Sequence, residues 1–282
     1  MIWQGCGRRC LVSARESPSA RDSVDAARRF IPSERMDRPS IGSLIGSGRV
    51  AEIFGYGADV LKLCRSPDAK ADAFREAAAL AIAASHDLPV PRVIEAGLFD
   101  GRWGVAMGRA PGGTLAALAE ADPAQKEAVL DAMVGLHLLV HSKSEARLPS
   151  LKARLAARIG QAQQLDADLQ KRLLAGLRLL PDGDRICHGD FHPFNIIGTP
   201  QAAMIVDWLD ATSGPPEADA CRTYVLLGPH MPALADAYLE RYAARAGLAR
   251  DAILRWLPAV AAARLAENTP DEAYLMELLK AA

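Results

Sequence analysis

Aromatic residues make up only 5% of this 282-residue chain. A core of stacked rings is therefore excluded, and Leu, Ala, Val and Ile must fill the interior, which suits a helix-rich globular protein. Paired cysteines are missing as well. The five present, Cys6, Cys10, Cys64, Cys187 and Cys221, form no C-x-x-C pair, and their odd number argues against a disulfide framework or a zinc ribbon. A reducing compartment fits that usage better. Neither sign of charge is in excess, since 33 Lys+Arg face 34 Asp+Glu for a net charge of −1. No basic field is available to recruit nucleic acid, and no acidic bias points to disorder. Long apolar runs are absent too: Ala77 to Ser85 and Leu257 to Ala263 fall far short of the ~20 residues of a membrane span. These absences lead to the expectation of a cytoplasmic protein with neither nucleic-acid nor membrane partners.

What is present changes along the chain. Residues 1–35 hold seven Arg and four acids, +3 in all, leaving −4 for the remainder. No apolar stretch follows Arg8-Arg9, so a secretory or twin-arginine signal does not fit. Residues 1–37 read as a tail without catalytic function, either disordered or preceding a natural start at Met36. Residues 38–108 read as strand-rich. Val50 to Phe54 and Val60 to Leu63 flank the turn Gly55 to Asp59, and a helix runs from about Asp68 to Ser85 before Pro89 and Pro91. Arg92 to Phe99 and Arg102 to Met107 are joined by Asp100-Gly101, a hairpin signal because both turn positions require positive φ. Residues 109–282 switch to helical periods. Asp122-Pro123 opens a helix carrying Val129, Met133, Leu136 and Val140 on one face. Leu169, Leu173, Leu177 and Leu180 form a second stripe, and Thr269-Pro270-Asp271-Glu272 reads as a capping box. A small β-rich lobe, a glycine-rich connector at Gly108 to Gly113 and a larger helical lobe make a bilobal α+β design, with a cleft between the lobes as the natural ligand site.

Chemistry concentrates in His188-Gly189-Asp190-Phe191-His192-Pro193-Phe194-Asn195 and in Asp207 at the end of the short run Met204 to Asp207. Asp190, Asn195 and Asp207 offer hard oxygen groups in close order. Phosphoryl transfer requires such a set: a carboxylate that orients the acceptor hydroxyl, and oxygen ligands that hold Mg²⁺ against phosphates. The order and spacing match the kinase loop H-x-D-x-x-x-x-N, and Asp207 occupies the place of the metal-binding Asp downstream. Any single Asp here reads more simply as a turn cap; the ordered combination does not. Cys187, His188 and His192 are crowded but have no second ligand pair for zinc. His188 reads as a structural residue of the loop, and His192 as one near the phosphates. Upstream, Lys62 follows Gly46-Ser47-Gly48 by one hairpin, an order that supplies a point cation and backbone N–H groups for phosphates. Glu76 is the candidate partner of Lys62, with Glu52 and Asp72 as substitutes. Ala51 stands where a third glycine would complete the loop, so that loop alone is weak.

The segment Ile186 to Ile197 followed by Ile205-Val206-Asp207-Trp208 resembles the aminoglycoside phosphotransferase and choline kinase-like superfamily. The resemblance extends over Val60-Leu61-Lys62, Leu88 to Pro91, Gly112 to Leu115 and Gly214 to Asp219, about residues 41–224. It implies a protein-kinase-like fold and transfer of a nucleotide γ-phosphate to a small-molecule alcohol. Asp190 then becomes the catalytic base or orienting carboxylate, Asn195 and Asp207 the Mg²⁺ ligands, and Lys62 with Glu76 the contact to the ATP phosphates. Backbone groups from Met107 to Ala110 would meet adenine, and Asp219 would brace the catalytic loop. The connector lacks the acid usual in relatives, which leaves ATP and GTP both open. Relatives accept aminoglycosides, choline, homoserine, sugars and other alcohols, so the motif does not name the acceptor. Acids on the later helices, Asp210, Glu217, Glu240, Glu267, Asp271 and Glu272, are candidates to contact it, although such acids are commonly just solvated. A catalytically silent nucleotide-binding regulatory module is the alternative from another class. A protein kinase is disfavoured because the interval from Asp207 to Asp219 leaves no room for an activation loop.

Overall fold

A computed structural model describes residues 38–281. The tail expected over residues 1–37, Met36 included, lies outside the described residues. Within 40–282, a single compact unit, the chain begins with β1 (Ile41–Ser47), β2 (Ala51–Tyr56), β3 (Asp59–Cys64), α1 (Lys70–Ser85), β4 (Val93–Phe99) and β5 (Arg102–Met107). The five strands form one antiparallel sheet in the order β1-β2-β3-β5-β4. Both expected hairpins are there. At the β4–β5 turn, Asp100 (φ 45°) and Gly101 (φ 83°) take the left-handed conformations that this tight turn demands. Strand β1 carries no clear sequence signal, because four of its seven positions are Gly or Ser, and its pairing with β2 shifts register.

Period-2 alternation divides the sheet into two faces. Leu61 and Leu63 join Tyr56, Phe99 and Ala106 in a small cluster, while Val105 and Met107 pack into the main core with α1. Helix α1 buries Ala73, Glu76, Ala77, Leu80 and Ala83 along one stripe. It ends where Asp87 adopts φ 57° and the N–H groups of Asp87 and Leu88 return to the Ala84 and Ala83 carbonyls. That is a Schellman closure with Asp in the position usually held by Gly, and buried Leu88 seals it.

After the irregular connector come α2 (Leu115–Ala121), a 3₁₀ turn at Pro123–Gln125, α3 (Lys126–His141), α4 (Leu151–Gln161) and α5 (Ala167–Leu179). Side-chain caps start several of them: Thr114, Ser150 and Asp166 each accept an N–H from three residues on. Two small antiparallel pairs follow, β6 (Arg185–Cys187) with β9 (Thr212–Gly214), and the hairpin of β7 (Ile196–Thr199) with β8 (Ala202–Ile205). The chain closes with α6 (Pro216–Leu227), α7 (Pro232–Ala246), α8 (Arg250–Leu254), α9 (Leu257–Leu265) and α10 (Glu272–Ala281). Helix α9 is buried on most sides through Ala259 to Ala263, whose small side chains let neighbouring helices approach closely. The scarce aromatics are spent centrally: Phe191, Trp208, Tyr238, Tyr242 and Trp256 are all fully buried.

Two local expectations need correction. The capping box at Thr269 does not form, because the Asp271 carbonyl accepts the first helical N–H, from Leu275, and the Thr269 hydroxyl is buried without a partner. Asp271 is held instead by Arg264, 3.0 Å away, which shifts the helix start to Glu272. Leu180 ends the second stripe just outside α5, in extended conformation. No helix among the described residues is long and apolar enough to cross a membrane.

Candidate active site

Lys62 sits mid-strand on β3, opposite Ile53 on β2 and Val105 on β5. Because Leu61 and Leu63 face the small cluster, alternation turns Lys62 the other way, toward α1. There Glu76 lies on the buried stripe, and its Oε1 is 2.7 Å from the Lys62 Nζ. Asp207 Oδ1 approaches the same ammonium at 2.8 Å. Burial works against the charge on Lys62, but Glu76 and Asp207 outweigh it and hold the pKa well above the ordinary lysine range. Burial pushes the Glu76 carboxyl upward, with Lys62 pulling against that shift. The substitutes Glu52 and Asp72 are engaged elsewhere, Glu52 with Arg65 and Arg102, and Asp72 with Arg75.

The loop from His188 to Asn195 is suspended from a buried carboxylate. Asp219, in the first turn of α6, accepts the backbone N–H of His188 at 2.6 Å and of Gly189 at 2.9 Å. Its Oδ2 also faces His137 Nε2 at 3.0 Å and His141 Nε2 at 3.2 Å. These two histidines stand one turn apart on α3, and their other nitrogens meet the hydroxyls of Tyr238 and Tyr242 at 2.6 and 2.7 Å. Burial, reinforced by His141, presses the His137 pKa down to about 3, so its imidazole is neutral. Burial alone would raise the Asp219 carboxyl; the histidine hydrogen bonds reverse that and hold it well below the usual range. Gly189 takes φ 81°, and a Cβ there would collide with the Asp210 carbonyl oxygen, so only glycine fits. Arg222 Nε donates to the Gly189 carbonyl.

His188 joins this loop to the Asp207 segment. Its Nε2 lies 3.0 Å from the Val206 carbonyl, and its Nδ1 accepts from the Asp190 N–H at 3.2 Å, which fixes the tautomer. The β7–β8 pair then folds the chain back, so that the Val206 N–H donates to the Asn195 carbonyl at 2.9 Å. Asp207 itself adopts φ 63°, an uncommon conformation that Asp tolerates better than most residues. Asn195 Nδ2 donates to the Asp190 carbonyl and to its Oδ2 at 2.9 and 3.0 Å. His192 Nε2 lies 3.4 Å from the same Oδ2. Against burial, His192 together with Arg222 and His188 holds the Asp190 pKa well below the ordinary carboxylate range.

These groups converge on one cleft of about 680 Å³. Lys62, Asp190, His192, Asn195 and Asp207 line it. Of the loop Gly46-Ser47-Gly48 only Gly48 does, while the Ser47 hydroxyl accepts from Arg65 at 2.7 Å. Met107 and Ala110 do not line this cleft, and Glu76 and Asp219 stand behind it. Sequence reasoning missed His137, His141, Arg154, Arg158, Arg222 and Arg264. Only the histidines left a trace, an i, i+4 pair on one helix face.

An antiparallel sheet with a buried Lys–Glu pair, set against a helical part that presents Asp190 and Asn195 beside Asp207, defines a kinase acting on hydroxyl groups. Residues 55–256 match the phosphotransferase enzyme family, and the chain belongs to that family as a small-molecule phosphotransferase. Its protein-kinase-like fold is shared with solved structures. A thermostable mutant of aminoglycoside phosphotransferase APH(4)-Ia, in ternary complex with ADP and hygromycin B, has a TM-score of 0.66 at 16% identity, covering 86% of this chain and 93% of that one. The choline kinase LicA from Streptococcus pneumoniae reaches 0.61 at 13% identity, covering 94% and 100%. An aminoglycoside-3'-phosphotransferase of type VIII reaches 0.57 at 22% identity, covering 88% and 97%. No curated protein matches the chain.

Proposed function

We propose that the protein transfers the γ-phosphoryl group of ATP to a hydroxyl of a small molecule in an Mg²⁺-dependent reaction. One observation carries this reading: Lys62 on β3, Asn195 in a 3₁₀ turn, and Asp190 and Asp207 in loops line one cleft. Residues 38–108 would hold the nucleotide, with Gly48 and Lys62 toward its phosphates, and residues 109–282 would supply the catalytic loop and the acceptor site. The ammonium of Lys62, already steered by Glu76 and Asp207, is a fixed point charge for phosphate oxygens.

The donor set fits a magnesium ion. Asn195 spends its amide N–H groups on Asp190, which leaves its carbonyl oxygen as a hard ligand beside the Asp207 carboxylate. Bound there, the metal would neutralise charge on the phosphates. Asp190 is ionised at neutral pH, and a carboxylate of such low pKa is a weak base. Its work is therefore to accept the hydrogen bond of the acceptor hydroxyl and aim the oxygen in line, with proton transfer late in a loose transition state. Asp219 keeps the loop in place through the two backbone N–H groups it accepts.

The test is an ADP-release assay of the purified chain across alcohols of different classes, with ATP or GTP as donor and with or without Mg²⁺. Asp190-dependent release that needs both metal and an alcohol supports the reading. Nucleotide binding with no turnover for any acceptor would favour a silent module.

A further inference from the structure

We infer that the acceptor side of the cleft takes an alcohol bearing an anionic group, a carboxylate or a phosphate. This deepens the phosphotransferase reading and rests on it. Beyond the catalytic loop, Arg154 and Arg158 project from α4, Arg222 from α6 and Arg264 from α9. They meet Asp210, Glu267 and Asp271. Asp210 Oδ1 is shared by Arg154 at 2.9 Å and Arg158 at 2.8 Å. Glu267 takes Arg158 at 2.6 Å, Arg222 at 2.9 Å and Arg264 at 2.6 Å, and Arg264 also reaches Asp271 at 3.0 Å. Four guanidiniums thus face three carboxylates in this cluster, of which Arg158, Arg264, Asp210 and Glu267 line the cleft itself. By donor inventory, about twenty N–H groups confront about twelve lone-pair sites.

The acids are therefore already committed. Each carboxylate lining the cleft has a donor: Asp72 from Arg75, Asp190 from Asn195, Asp207 from Lys62, and Asp210 and Glu267 from the arginines. A polycationic acceptor would find no free carboxylate there, and would meet the like charge of Arg158 and Arg264. What stays unspent is donor capacity. Arg264 Nε and the Thr269 hydroxyl are buried without a hydrogen-bond partner, and both residues line the cleft. Unsatisfied buried donors favour an anionic oxygen acceptor, and in this part-buried setting guanidiniums bind such groups in fork geometry.

The experiment has two arms. The first assays ADP release from the full chain at saturating Mg·ATP. Its acceptor sets are hydroxycarboxylic acids, sugar phosphates, neutral polyols, and cations (amino alcohols and aminoglycosides). Turnover should concentrate in one of the two anionic sets, and which one tells carboxylate from phosphate. Arg264→Gln should then raise the KM for that acceptor at least tenfold while the KM for ATP stays within twofold. Preference for cations or for neutral polyols, or an equal rise in the KM for ATP, overturns the inference. The second arm needs no turnover. With Mg·ADP present and ionic strength fixed, citrate should raise the melting temperature of the wild-type chain more than spermine does. Stabilisation by spermine, or none by citrate, counts against it. The underlying phosphotransferase reading fails separately, by the absence of metal-dependent nucleotide binding.

Discussion

The Lys62 ammonium and the Asp207 carboxylate, 145 positions apart in the chain, meet at 2.8 Å, with Glu76 at 2.7 Å on the same nitrogen. Removing the cation leaves Glu76 buried and unpaired. Lys62→Met should therefore lower stability by about 3 kcal/mol, and it should also raise the KM for nucleotide. Urea denaturation and steady-state kinetics measure the two effects. A variant of unchanged stability with normal nucleotide KM would remove Lys62 from its assigned place.

Asp190→Asn keeps the shape and the contact to Asn195 but loses the anion proposed to orient the acceptor. Phosphoryl transfer should fall by about 10³-fold, with nucleotide affinity within a few-fold, since in the proposed reaction this carboxylate acts on the acceptor and not on the nucleotide. Nucleotide titration beside single-turnover kinetics separates the two quantities.

Asp207→Ala should abolish the Mg²⁺ dependence of nucleotide binding, because it removes one of two candidate oxygen ligands. The same change frees Lys62 from one of its partners. Nucleotide affinity titrated with and without Mg²⁺ reads this directly, and an unaltered metal dependence would contradict the assignment.

Asp219 accepts four N–H groups or ring nitrogens at 2.6 to 3.2 Å while fully buried. Asparagine can offer only one oxygen and adds donors where donors already point. Asp219→Asn should cost about 3 kcal/mol and slow turnover by loosening the His188 and Gly189 backbone, leaving acceptor KM nearly unchanged. Thermal unfolding and a kcat against KM comparison check both parts.

Acid stability follows from His137. Its pKa falls from 6.5 to about 3 on folding, so between those values the unfolded state binds more protons than the folded one. Stability is thus fully present above pH 6.5 and declines as pH drops toward 3, by at most a few kcal/mol. Urea midpoints measured from pH 7.5 to 4 should show this slope, and His137→Gln should flatten it.

The hairpin at Asp100-Gly101, the Schellman-closed helix before Pro89 and the order His188, Asp190, Asn195, Asp207 were all legible because each is a short-range signal. Turn chemistry, apolar period and motif spacing act within a few residues. The capping box at Thr269 failed because the chain turns between two helices there: the Arg264 guanidinium, seven residues earlier, claims Asp271, and the helix starts at Glu272.

The amino-acid sequence by itself determined the reaction class, since phosphoryl transfer demands those residue types in that order. Apart from the local pairs that Arg264 makes with Glu267 and Asp271, tertiary structure decided which partner each acid has. Asp210, Glu267 and Asp271 looked available to a cationic acceptor, yet they lie in turns where Arg154, Arg158, Arg222 and Arg264 reach them from three helices. The physical reason is that an ion pair is set by distance in space, and pairs such as Arg158 and Glu267, 109 positions apart, leave no mark on the local sequence.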